Sequence, residues 1–191
     1  MSYLIFDTET TGIPRDRNAP VEMVENWPRV VQIAWQVNDE SEVLTSSREA
    51  IIKPEGFYIP EEAARVHGIT QDRALEEGIP FSDILPAFAE AVNRADVLVA
   101  HNMRFDSFVM GAEFVRAEIV TEMFAKKRVC TMVASTEYCQ IPGPYGYKWP
   151  TLAELYYTLF RTSFLDEHDA AGDVKACARC FFELKNLGVI S

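Results

Sequence analysis

Two carboxylates near the N-terminus have the spacing of a metal-binding pair. Asp7 and Glu9 follow a short apolar run, Tyr3 to Phe6, whose pattern predicts a buried strand. Because residues i and i+2 of a strand point to the same face, both carboxylates lie on one side of the sheet. Two such charges destabilise each other unless a proton or a cation intervenes, and Mg²⁺ prefers oxygen ligands. Alone, the pair is equally compatible with a strand that ends in a turn at Gly12.

Asp106 is the next candidate ligand. It follows the apolar run Val97 to Ala100, which predicts a buried strand, by only a few residues within HNMRFDSF. Sites in α/β proteins commonly form where the chain leaves the carboxyl end of a central strand and enters a helix. Considered alone, Asp106 is better explained as an acid in the first turn that the helix dipole favours.

The third group of candidates is His168, Asp169 and Asp173, which precede or begin an apolar-periodic segment. On one continuous helix, positions five apart point about 140° away from each other. His168 and Asp173 therefore converge only if His168 lies in the loop before the helix and Asp173 in its first turns. The alternative is a surface histidine near an acidic helix start, with Asp169 as a dipole-favoured or solvated acid.

Taken together, the four carboxylates and the histidine indicate two-metal phosphoryl chemistry. Two cations about 3.5–4 Å apart can stabilise the attacking and leaving oxygens of a phosphodiester. A histidine with an ordinary pKa of about 6.5 can accept the proton of the attacking water near neutral pH.

The elements that must position these residues are read from periodicity and turn signals. Strands are predicted at 3–6, 30–37, 43–53, 97–100 and around 128–131, and the second and third form an antiparallel hairpin. Helices are predicted at 60–66, 71–76, from a cap at Ser82 onward, at 104–117, and near 132–138, 151–159 and 169–187. This order predicts one α/β domain, residues 1–191, in which helices pack on a mixed sheet.

Composition limits the classes of function. The 191 residues are 48% hydrophobic, enough for a sizeable core, and 18 Lys+Arg against 29 Asp+Glu give a net charge of −11. Such an acidic chain cannot grip a long duplex through many phosphates. No run of about 18 apolar residues predicts a membrane span, and MSYLIFDTET lacks the features of a secretory signal. A cytoplasmic protein is expected.

The cysteines give no strong metal signature. Of Cys130, Cys139, Cys177 and Cys180, only the last two have CxxC spacing, and they lie in an apolar helical segment. Half of a zinc site without a second half is weak evidence. We therefore interpret them as small buried hydrophobic residues in a reducing compartment.

Three motifs carry a resemblance that runs nearly end to end. FDTETTG (6–12), HNMRFD (101–106) and HDAAGD (168–173) resemble the exonuclease motifs of the DnaQ-like DEDDh 3′→5′ exonucleases, the superfamily that includes the proofreading epsilon subunit of bacterial DNA polymerase III. The resemblance implies an RNase H-like fold with a five-stranded mixed sheet flanked by helices. It also implies Asp7, Glu9, Asp106 and Asp173 as ligands of two Mg²⁺ or Mn²⁺ ions, with Asp7 bridging them and His168 as general base.

The same resemblance implies a set of residues around the terminal nucleotide, namely Thr8, Thr10, Gly12, Ile13, Glu62, His67, His101, Asn102 and Phe105. In this interpretation Ile13 wedges against a base and Phe105 stacks on one. His67 is equally compatible with a loop histidine bonded to the backbone, and Glu62 is better explained as a solvated helix acid.

The resemblance implies release of nucleoside 5′-monophosphates from nucleic-acid 3′ ends, with DNA favoured over RNA and frayed or single strands as substrate. Roles in proofreading, repair or replication follow, with a polymerase or replication protein as the expected partner. The chain ends directly after its last predicted helix, which favours a stand-alone enzyme or one that contacts a partner through its folded surface. Three alternatives stay open: an exoribonuclease, a non-catalytic module that binds ends or partners, and a two-metal phosphatase. The oligomeric state is also open.

Overall fold

The computed structural model describes residues 1–164 and 169–190. The strands are β1 Ser2–Thr10, β2 Val30–Asp39, β3 Leu44–Ile51, β4 Val97–Ala100, β5 Lys127–Cys130, and the short pair β6 Pro142–Gly143 and β7 Gly146–Tyr147. The helices are α1 Glu61–His67, α2 Gln71–Glu77, α3 Phe81–Arg94, α4 Met103–Arg116, α5 Thr131–Ala134, α6 Thr136–Cys139, α7 Leu152–Phe160 and α8 Ala170–Asn186. A 3₁₀ turn, Val24–Asn26, interrupts the loop between β1 and β2.

In the described part of the chain, a five-stranded mixed sheet has the order β3-β2-β1-β4-β5. The first three strands in sequence pair antiparallel, while β4 pairs parallel with both β1 and β5. The predicted α/β architecture with a hairpin and a mixed sheet is confirmed. Its central strand is β1, which carries the first motif.

Helices cover both faces of the sheet. Phe6 on one face of β1 packs into a core with α3 and α4, and Ile5 on the other face packs with α7 and α8. Side chains alternate along a strand, so Asp7 and Glu9 continue the row that faces α8. The alternation of side chains along β1 therefore directs both Asp7 and Glu9 toward α8.

Several of the predicted boundaries are wrong, and among them the second strand ends at Asp39 and not at 37, while the third ends at Ile51 and not at 53. The first strand runs on to Thr10, because β2 continues to pair with it opposite Asp7 and Glu9. The two acids thus lie within a strand and not after it. The predicted cap at Ser82 is also wrong, since the helix begins at Phe81 after an extended Pro80. The helix predicted near 132–138 is instead two short helices, α5 and α6, that meet at Ser135.

None of the described helices is long and apolar enough to cross a membrane.

Candidate active site

β1 and α8 bring three carboxylates together. Asp7 and Glu9 meet Asp173, which lies in the first turn of α8, and one oxygen from each of the three lies within 4.8 Å of the other two. Oxygen ligands at this mutual distance suit a hard divalent cation. The residue types and their spacing in space therefore fit a metal site.

The electrostatics of the cluster also favour a cation. Burial raises the pKa of Asp7 well above its usual range, and the charges of Asp106, Asp173 and Glu9 raise it further. Burial, followed by the charges of Asp173 and Asp106, raises the pKa of Glu9 to about 8. A bound cation reverses both effects, because it stabilises the ionised forms that burial and repulsion disfavour.

Asp106 is the fourth acid, and it comes from the first turn of α4. It is almost fully buried, and its Oδ1 accepts hydrogen bonds from the Thr8 backbone N–H at 3.2 Å and from the Thr8 hydroxyl at 2.8 Å. Burial raises the pKa of Asp106 to about 7, although the bonds from Thr8 oppose that rise. Thr8, expected to contact substrate through its backbone, thus also anchors a candidate ligand.

Asp169 and Gln32 organise the start of α8. The Asp169 carboxylate is the N-cap of the helix, where Oδ2 accepts from the Gly172 N–H at 3.2 Å. Its Oδ1 accepts from the Gln32 side-chain amide at 2.8 Å. Gln32 was missed by sequence reasoning, and the signal for it is a polar residue within the otherwise apolar run VVQIAW. His168, the expected general base, lies outside the described residues.

The turn after β1 has the features expected beside a ligand. The Thr10 hydroxyl donates to the Gly12 carbonyl at 2.7 Å, and Gly12 has a φ of +142°. A Cβ atom at Gly12 would meet nothing within 4 Å among the described atoms, so lack of space is not the reason for glycine. The reason is the positive φ, which glycine adopts without steric cost. The next residue, Ile13, is 73% exposed, so an apolar side chain faces solvent directly after this turn.

The junction between β4 and α4 places the second motif. Asn102 has a left-handed backbone, with φ of +82°, and its side chain is exposed. Such a conformation is uncommon for a residue other than glycine and concentrates at functional sites. Phe105 is only partly buried against the core of α3 and α4.

His101 is held inside the protein by both ring nitrogens. Its Nε2 lies 3.0 Å from the Pro150 carbonyl and its Nδ1 lies 2.9 Å from the Thr131 hydroxyl. Burial lowers the pKa of His101 to about 4, so the ring is neutral, Nε2–H donates to Pro150 and Nδ1 accepts from Thr131. Its expected contact with substrate would have to come from the ring carbons.

His67 has one engaged and one orphaned nitrogen. Nδ1 accepts from the Ile69 N–H at 3.1 Å, while the buried Nε2 has no hydrogen-bond partner among the described residues. Burial lowers the pKa of His67, and the nearby Thr10 backbone opposes that shift. Glu62, on the same helix, is exposed and lies 3.9 Å from Arg65. His67 thus lies near the Thr10 backbone with its Nε2 buried and unpaired among the described residues, and Glu62 is exposed to solvent.

The cysteines are free in the structure. Burial raises the pKa of Cys180 to about 12 and that of Cys177 well above its usual range, so both are protonated thiols packed among apolar side chains. This agrees with their interpretation as buried hydrophobic residues.

The profile of the RNase T exonuclease family matches residues 4–181 of this chain. That match covers more than nine-tenths of the sequence and includes all three motifs. Among curated proteins, none matches the chain.

Solved structures of exonuclease I have a similar fold. The E. coli enzyme in complex with a dA16 oligonucleotide superposes with a TM-score of 0.74 at 18% identity, over 97% of this chain and 41% of that one. The zinc-bound E. coli ExoI–ssDNA complex gives 0.71 at 20% identity, covering 97% and 40%. An ExoI/SSB-Ct complex gives 0.72 at 17% identity, covering 97% and 41%. The chain thus spans about two-fifths of the length of these proteins, and the expected RNase H-like fold is confirmed.

Proposed function

This chain belongs to the RNase T exonuclease family, as its resemblance to the DnaQ-like DEDDh exonucleases indicated, and we propose that it is a divalent-metal-dependent 3′→5′ exonuclease. In this proposal it removes nucleotides from the 3′ end of single-stranded or frayed DNA and releases nucleoside 5′-monophosphates. The observation that carries the proposal is the cluster of Asp7, Glu9 and Asp173 at the centre of the sheet, with Asp106 beside it.

The proposed ligands are these four acids. Two divalent cations, Mg²⁺ or Mn²⁺, would supply an activated water and positive charge to the scissile phosphate. The charges of the other three acids all raise the pKa of Asp7, which supports the proposal that Asp7 would contact both cations. Thr8 holds Asp106 in place, and the cap of α8 holds Asp173.

His168 is proposed as the general base on the motif HDAAGD, in which it precedes Asp169. An imidazole of ordinary pKa accepts a proton near neutral pH, where the attacking water must lose one. The other two histidines do not suit that role. His101 is neutral and bonded through both nitrogens, and the Nδ1 of His67 already accepts from the backbone.

The terminal nucleotide is proposed to lie against the turn after β1 and the start of α4. Ile13 is exposed and would wedge against a base, and Asn102, also exposed, would contact the sugar or phosphate. The orphaned Nε2 of His67 supports a hydrogen bond from His67 to the nucleotide. A short binding surface of this kind suits a chain of net charge −11, because the cations and not the protein neutralise the phosphate.

The choice of DNA is supported by the structures that share the fold, several of which are complexes with DNA oligonucleotides. The ExoI/SSB-Ct complex supports a single-strand-binding or other replication protein as partner and work in replication or repair.

A time course with 5′-labelled oligonucleotides tests the proposal. We expect a ladder that shortens single-stranded DNA from its 3′ end in Mg²⁺ or Mn²⁺, disappears in EDTA, and yields nucleoside 5′-monophosphates by chromatography. His168→Ala should slow it by roughly 10²–10⁴-fold, the usual worth of a general base. Asp96 is an exposed acid that accepts from the Ser2 N–H at the other end of β1, and Asp96→Asn should leave the rate of degradation unchanged.

Other outcomes assign the alternatives. Faster shortening of RNA than of DNA would make the protein an exoribonuclease. Tight binding of 3′ ends without any product would make it a binding module, and phosphate release from mononucleotides alone would make it a phosphatase.

A further inference from the structure

Gln32 is a buried polar side chain on the face of β2 that packs against α8. It is 5% exposed and lies opposite Glu9 in the β1–β2 register. An amide at such a position is costly unless its hydrogen bonds are satisfied. Both ends of this amide are satisfied, and both bonds go to the first residues of α8.

Hydrogen bonds join Gln32 to the first turn of α8. The Gln32 Nε2 donates to Asp169 Oδ1 at 2.8 Å, and the Gln32 Oε1 accepts from the Ala170 N–H at 3.2 Å. The other oxygen of Asp169 caps the Gly172 N–H at 3.2 Å. The Asp169 carbonyl then accepts from the Asp173 N–H at 2.9 Å, the first bond of the helix. One amide of β2 is thus connected through Asp169 to the backbone of a metal ligand.

The negative charge of Asp169 is electrostatically unfavourable beside the acids of β1, so its presence there needs a structural reason. Its charge raises the pKa of both Asp7 and Glu9, so it adds repulsion to a cluster that already contains several like charges. A neutral cap such as serine or threonine would hold the helix without that repulsion. Hydrogen bonds from Gln32 and Gly172 offset the repulsion, because they engage both carboxylate oxygens and hold Asp169 as the cap.

We propose that Gln32 and Asp169 form a positioning pair that locks the start of α8 to β2 and so sets the distance between Asp173 and the two acids of β1. In this proposal the pair acts through the position of Asp173 and not as a ligand of the cations. This inference rests on the proposed function, because it assumes that Asp7, Glu9 and Asp173 bind a cation together. It adds to that function two residues outside the four acids and the histidine.

The chemistry of the pair allows an exchange experiment. Gln32→Glu places two carboxylates face to face, so the hydrogen bond between positions 32 and 169 is lost. Asp169→Asn leaves one side-chain oxygen to accept from both the Gln32 amide and the Gly172 N–H, so one of those two hydrogen bonds is lost. In the double variant Q32E/D169N, the new amide at position 169 can donate to the new carboxylate at position 32. That carboxylate still accepts from the Ala170 N–H, and the amide oxygen at position 169 can still cap Gly172. All three hydrogen bonds and the net charge are restored, and only the bond between positions 32 and 169 has its donor and acceptor exchanged.

The readout is the dissociation constant of Mn²⁺ alone, measured by titration calorimetry or electron paramagnetic resonance without nucleic acid. We expect each single variant to weaken Mn²⁺ binding by roughly 10–100-fold, as loss of residues that orient metal ligands does. The double variant should return to within about three-fold of the wild type, since residues in contact couple strongly. Single-strand degradation should follow the same order.

Two further variants separate positioning from plain stability. Gln36→Glu buries a carboxylate four residues along the same face of β2, where the amide bonds Asn38 and not α8. It should lower the melting temperature and leave Mn²⁺ affinity unchanged. Gln32→Met removes both bonds without adding charge, and it should weaken Mn²⁺ binding even if Gln32→Glu fails to fold.

The outcomes are distinct. Unchanged Mn²⁺ affinity in folded Q32M, or no recovery in the double variant, would overturn the positioning pair. If the wild type binds Mn²⁺ and the exchange restores affinity but no polymer is degraded, the pair stands and the exonuclease proposal fails.

Discussion

Helix α4 carries two buried carboxylates in opposite electrostatic surroundings. Glu113, near its C-terminus, lies 2.8 Å from Arg29 Nε and 3.1 Å from Arg116 Nη1, and it accepts the Val30 N–H at 3.2 Å. Asp106, two turns earlier, accepts hydrogen bonds from Thr8 and lies near the other acids of the cluster. Both acids are 2% exposed.

The difference separates an acid that is compensated within the fold from the acids of the proposed site. Burying a charge is unfavourable unless a partner compensates it, and the two arginines compensate Glu113 within the chain. Among the described residues, no ion pair involves Asp7, Glu9 or Asp106, and the pKa of each of the three is raised. The described residues thus offer these acids no compensating positive charge, which is consistent with the proposed cation site.

The largest expected effect is on activity and comes from the uncompensated acids. Asp7→Asn should reduce the rate of 3′-end degradation by at least about 10³-fold, because the cations that Asp7 is proposed to hold would supply several kcal/mol of transition-state stabilisation. Its thermal unfolding in EDTA should occur at or above the wild-type temperature, since the change removes a repelling charge. An active Asp7→Asn protein would contradict the assignment of the site.

Glu113→Gln should have the opposite effects, namely lower stability and an unchanged rate of degradation. It leaves Arg29 and Arg116 without their carboxylate, and because Arg29 is partly solvated the expected cost is about 2–3 kcal/mol of unfolding free energy. Thermal unfolding should shift down by roughly 4–12 °C. The rate per folded molecule, measured well below the unfolding temperature, should stay near wild type. A specific loss of rate without loss of stability would show that Glu113 also serves the site.

The pH dependence of the metal-free protein provides the third comparison. The pKa of Glu9 is raised from an ordinary 4.5 to about 8, so the folded state binds the proton more tightly than the unfolded state does. This contribution to stability is complete below about pH 4.5 and is lost as the pH rises through about 8. In EDTA, the midpoint temperature of thermal unfolding should therefore decrease as the pH is raised from about 5 to about 8.

Glu9→Gln should flatten that pH profile and be more stable than wild type at about pH 8 by about 1–2 kcal/mol. Added Mn²⁺ should raise the wild-type midpoint most at the alkaline end of this range, because the carboxylates are then ionised. A profile that is the same in wild type and variant would mean that Glu9 is not part of a repelling cluster.

The smallest effect on activity is expected from the loss of one of the two hydrogen bonds that Thr8 donates to Asp106. Thr8→Val keeps the shape of the side chain but removes the hydroxyl that lies 2.8 Å from the carboxylate. We expect a rate about 5–10-fold lower, equivalent to about 1 kcal/mol, by single-turnover kinetics. Thr158→Val is the matched control, because its hydroxyl bonds the Glu154 carbonyl on α7. Equal losses in both variants would assign the effect to general destabilisation.

Much of the fold and of the site could be predicted from sequence, and the reason differs from element to element. β4 was located at its observed bounds because four consecutive apolar residues, Val97–Ala100, admit little else. The end of β1 could not be located from its own residues, since its polar half is held in the sheet by pairing with β2. The prediction of Ser82 as a cap is wrong because the fixed geometry of Pro80 starts the helix two residues earlier, at Phe81.

The sequence by itself determined the chemistry. The types and spacing of Asp7, Glu9, Asp106 and Asp173 predict metal-assisted phosphoryl transfer, and the alternation along a strand predicts that the first two face the same way. Tertiary structure alone decided the rest. It turned Asp169 into a cap bonded to Gln32, engaged both nitrogens of His101, and left the Nε2 of His67 without a partner among the described residues. Such contacts join residues far apart in the chain, and local pattern contains no information about which distant atoms will meet.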